Sequence, residues 1–128
     1  MPALEPLPGW RVVASPAAID GARWTGDGVV VLRSAPDEAF AIGATGVELD
    51  DPDAIATAET GVVGARLSRD ELDLAVAHVD WRLPAAPGVL AQGKIGGVPA
   101  KVLTGEPALL LTQAAYAHEL AVRLGWLG

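Results

Sequence analysis

The sequence predicts an α+β fold: a mostly antiparallel sheet with two to three helices on one face. Three observations lead there. Short apolar runs rich in Val, Ile and Leu recur along the chain, separated by turns that carry Gly or Pro. Two segments, after Ser68 and after Thr112, place apolar residues at helical spacing. The elements then run as four strands, a short helix, a strand, a helix, three strands and a last helix. Strands in runs favour antiparallel neighbours over a parallel sheet with alternating helices.

Each element has a local reason. Residues 1–9 hold three prolines and are expected to form an extended arm, with a single domain over residues 10–128. Trp10 to Ser15 reads as a short strand. The stretch ARWTGDGVVVL reads as a hairpin, because Thr25-Gly26-Asp27-Gly28 tolerates positive φ ahead of β-branched Val29-Val30-Val31. Ala35-Pro36-Asp37-Glu38 breaks the strand, and AFAIGA forms an antiparallel neighbour. Asp51-Pro52 is an expected helix start, a capping carboxylate followed by proline, with Gly61 ending the helix after about two turns. GVVGARLS reads as a buried strand.

Ser68-Arg69-Asp70-Glu71 fits a capping box, and Leu72, Ala75, Val76 and Val79 form the apolar stripe behind it. A loop with two prolines runs from Asp80 to Gly88. LAQGKI, VPAKVL and PALLLT are three strands split by Gly-Gly and Gly-Glu-Pro turns. Thr112 is the expected cap of the final helix, whose buried face is edged by Tyr116, Leu120 and Leu124 beside Ala117 and Ala121. Gly125 sits where a left-handed glycine ends a helix.

Composition narrows the function classes. A chain of 128 residues hides roughly two-thirds of its unfolded surface. Mean hydropathy is +0.34, which favours burial of surplus apolar surface in an oligomer or larger complex. The net charge of −7 disfavours nucleic acid and anionic membrane surfaces. No cysteine is present, so disulfides, thiolate catalysis and thiolate metal sites are excluded, as suits the cytoplasm. The opening MPALEPLPGW lacks the basic and apolar regions of a signal peptide, and no aliphatic run is long enough to span a bilayer.

Several motifs invite chemistry. Gly88 to Lys94 matches the G-x-x-x-x-G-K of a phosphate loop. Ile95 follows where a hydroxyl should meet Mg2+, and Gly96-Gly97-Val98-Pro99 follows where a helix should begin. A strand and hairpin is the expectation instead. Glu48, Asp50, Asp51 and Asp53 suggest a calcium loop, with Glu59 at the twelfth position, but Pro52 and Asp53 take the fifth and sixth. His78 and His118 are the two histidines, and neither has a second His or a Cys at ligand spacing. Ser15, Ser34 and Ser68 lie outside any G-x-S-x-G elbow. No catalytic or metal-ligating residue is assigned, and no cofactor-binding residue is identified.

Trp10, Trp24, Trp81 and Trp126 dominate a chain with few other aromatics. Core closure is the first expectation for such rings, and a protein interface is the second. Trp10, Tyr116 and Trp126 are the candidate interface residues.

The second half resembles the C-terminal part of the gamma subunit of heterotetrameric sarcosine oxidase, within the wider T-protein (aminomethyltransferase) and folate-binding group. The residues that carry the resemblance are Arg66-Leu67-Ser68, Ala91-Gln92 and Tyr116-Ala117, with Ala35-Pro36-Asp37-Glu38 further upstream. It covers residues from about 28 to 126. One departure stands out. Catalytic aminomethyltransferases carry an Asp in D-x-S before the following strand, and Thr57-Ala58-Glu59 stands there here.

The resemblance implies a T-protein-like fold and a non-catalytic accessory subunit beside a flavoprotein. FAD, with or without folate, would belong to the partner complex, with no cofactor in this chain. A homo-oligomer is the alternative partnership. A stand-alone module for a folate-like ligand and a small uncharacterised enzyme are the alternative functions.

Overall fold

The computed structural model describes residues 2–77 and 82–126. In chain order the elements begin with β1 (Glu5–Pro6), β2 (Gly9–Val13), α1 (Pro16–Asp20), β3 (Arg23–Thr25) and β4 (Val30–Ala35). Next come β5 (Glu38–Ile42), β6 (Gly46–Glu48), β7 (Ile55–Glu59), β8 (Val62–Leu67) and α2 (Arg69–Val76). The last are β9 (Leu90–Ile95), β10 (Val98–Leu103), β11 (Ala108–Gln113), a 3-10 turn (Ala114–Tyr116) and α3 (Ala117–Leu124). The fold is α+β, and every strand pairing among the described residues is antiparallel. The chain divides into two compact units, Leu7–Thr60 and the rest.

The Leu7–Thr60 unit has a four-stranded sheet in the order β4-β5-β2-β7 and a two-stranded ribbon of β3 and β6. Val12 and Ala39, on facing strands, pack with Ala18 and Ile19 of α1. Trp24 and Val47 of the ribbon lean on the same cluster. The opposite face of the sheet carries Arg11 above the Phe40 ring, 5.8 Å from its centroid. The Arg11 guanidinium bridges Glu38 and Glu59, the latter at 3.4 Å.

Three expectations change in this unit. The stretch after Asp51-Pro52 is not a helix. Asp51 accepts the N–H of Asp53 at 2.9 Å, which closes a local turn, and Ile55–Glu59 then pairs with β2 as an edge strand. An Asx turn and a helix cap share the same Asp signal, and the sheet partner decided between them. The predicted hairpin over ARWTGDGVVVL is also revised. Its turn exists, but β3 pairs with β6 while β4 pairs with β5. Finally, α1 was missed, although Ser15 caps it and Pro16 opens it.

The second unit has a five-stranded sheet in the order β1-β8-β11-β10-β9. Period-two alternation puts Ala65, Leu67, Ala108, Leu110, Val98, Ala100 and Val102 into one cluster. Ala75 of α2 and Leu120 of α3 join that cluster, so both helices cover the same sheet face. The capping box of α2 forms as predicted. Ser68 accepts the N–H of Glu71 at 3.2 Å, and Glu71 accepts that of Ser68 at 2.9 Å.

β9 and β10 form the expected hairpin, turning at Gly96 and Gly97 with φ of +56° and +83°. Thr112 does not cap the last helix. It lies in β11, where its hydroxyl donates to the Pro99 carbonyl at 2.9 Å, and the helix begins through the 3-10 turn instead. His78, Val79, Asp80 and Trp81 lie outside the described residues.

Candidate protein interface

Tyr116 and Trp126, two of the three candidate interface residues, flank the last helix. Its position is set first by β11, whose end is fixed by the Ala114 N–H donating to the Gly61 carbonyl at 2.7 Å. The chain then turns into α3, burying Leu120 and Ala121 on the core and half-burying Ala117 and Leu124. At the far end Gly125 adopts φ +74°, and the Trp126 N–H returns to the Ala121 carbonyl at 2.8 Å. That left-handed cap turns Trp126 back onto the core cluster. Arg123 adds a clamp: it donates to the Gly96 carbonyl at 2.7 Å and to Glu119 at 3.0 Å.

The other side of the helix faces solvent. Val122 is 52% exposed there among the exposed His118, Glu119 and Arg123, and Tyr116, at the end of the 3-10 turn before the helix, is 36% exposed. Beside them lies a shallow depression of about 240 Å3, lined by Ala3, Leu4, Ala117, His118, Ala121 and Trp126. The lining is apolar apart from the His118 imidazole and the Trp126 indole N–H. Among the described residues that line it there is no hydroxyl, thiol or carboxylate side chain to serve as a nucleophile or as a partner for His118. The chemistry it suits is burial of an apolar group.

The candidate residues fall as follows. Trp126 lines the depression, and Tyr116 closes the 3-10 turn that leads into the same helix. Trp10 stands half-buried in β2, within the other compact unit. Trp24 serves its unit's core, in keeping with the core-closure expectation for tryptophan. Val122, Ala3 and Leu4 were not singled out in the sequence. Leu4 is one apolar residue between prolines, too short a signal to read, and it reaches its place because β1 pairs with β8.

The motifs that suggested other chemistry resolve into structural roles. Lys94 lies within β9 and is followed by the Gly96-Gly97 turn and β10, so no helix N-terminus faces a phosphate there. Of the calcium candidates, Glu48 pairs with Arg23 at 3.0 Å and Glu59 with Arg11. Asp51 is held below the usual aspartate range because the Ser15 N–H donates to it at 2.8 Å and the Asp53 N–H also donates. Glu71 is likewise lowered, first by the Ser68 N–H and then by the Ser68 hydroxyl. Among the described residues, no three His, Cys, Asp or Glu side chains gather as a metal site. No helix is long and apolar enough to cross a membrane, again among the described residues.

No family model matches this chain, and no curated protein matches it. Among solved structures, it is similar to a chain of the heterotetrameric sarcosine oxidase from Corynebacterium sp. U-96, determined in complex with pyrrole 2-carboxylate. The TM-score is 0.62 at 10% sequence identity, covering 94% of this chain and 79% of that one. The likeness is one of fold, and it runs through nearly the whole chain.

Proposed function

We propose that this chain is a non-catalytic accessory subunit of a flavin-dependent amine-oxidising complex, resembling the gamma subunit of sarcosine oxidase. The observation that carries the reading is the fold likeness over 94% of the chain to one member of a heterotetrameric oxidase. The coverage of both chains means that the matched chain is only modestly longer than this one, which fits a small subunit. The surface of α3 supports the same reading. Tyr116 and Val122 expose apolar area that a partner would remove from water, and the adjoining depression accepts an apolar side chain.

In this reading the partner holds the flavin, with or without a folate, and performs the oxidation in the cytoplasm. This chain contributes buried area and orientation to the assembly. The test is affinity capture of the tagged chain, at native expression, from cells that normally make it. The expected result is a co-isolated protein with a flavin absorption spectrum, in a constant ratio to this chain. Recovery of the chain with no flavin-bearing protein would overturn the reading.

A further inference from the structure

We draw no further inference here: the strongest candidate, the open edge of β7 with Ile55 exposed opposite Val13, lies beside Asp50, Asp51 and Asp53 in an acidic chain, and nothing in the structure shows what covers it.

Discussion

Two carboxylates make their contributions by accepting backbone N–H groups, Asp51 from Ser15 and Asp53, and Glu71 from Ser68. Glu71 and Asp51 both have folded-state pKa values below the ordinary carboxyl range because N–H groups donate to the ionised form. A depressed pKa means that the stability is present above the unfolded value and is lost as pH falls through the folded one. Acid unfolding of Glu71→Gln, followed below about pH 5, is therefore expected to show a shallower dependence on pH than the wild type. An identical acid limb would show that the capping box is not formed in solution. Ser68→Ala removes the other half of the box and is expected to cost about 1 kcal/mol in urea denaturation.

Gly96 is the second residue-scale test. Its φ of +56° is unfavourable for a side chain, and an added Cβ would meet the Arg123 Cβ at 3.1 Å. Gly96→Ala is expected to lower stability by about 1 to 2 kcal/mol in the same assay, with no loss of fold.

At the scale of elements, local chemistry was legible where it was self-contained. The capping box at Ser68, the turn at Gly96-Gly97 and the end of α3 at Gly125 each follow from a few adjacent residues, and each is present. Elements that depended on distant partners were misread. Asp51-Pro52 suits a helix start as well as a turn, and only the pairing of β7 with β2 decides between them. Likewise the turn at Gly26–Gly28 does not say which strand β3 will join, and β6, its partner, lies about twenty residues on. Thr112 could cap a helix or complete a strand, and its hydroxyl bond to Pro99 shows the second.

The candidate interface was half-legible for the same reason. Tyr116 and Trp126 declare themselves as large aromatics, whereas Val122 looks like any apolar helix residue until the helix is rotated into place. Val122→Asp and Tyr116→Ala test that surface as an element. Each is expected to weaken partner capture by about tenfold or more while leaving the thermal transition of the free chain within a few degrees. Unchanged capture by both variants would move the interface elsewhere.

For the whole molecule, composition excluded classes of function without naming one. The absence of cysteine and the acidic balance restrict what the surface can bind, and the order of strands and helices predicts the α+β class seen in the structure. Among the described residues that line the depression beside α3, His118 is accompanied by no hydroxyl, thiol or carboxylate side chain. Val122 adds exposed apolar area on a helix fixed at its Gly125 end, as Ile55 and Leu74 do elsewhere in the chain, and such surface has a physical purpose when something covers it.

The most direct test of the accessory role is the native mass of the assembly captured with this chain at its normal abundance. The account predicts one mass equal to this chain plus a larger flavin-bearing protein, falling to the separate chains when Val122→Asp is used as bait. A mass accounted for by copies of this chain alone would contradict it.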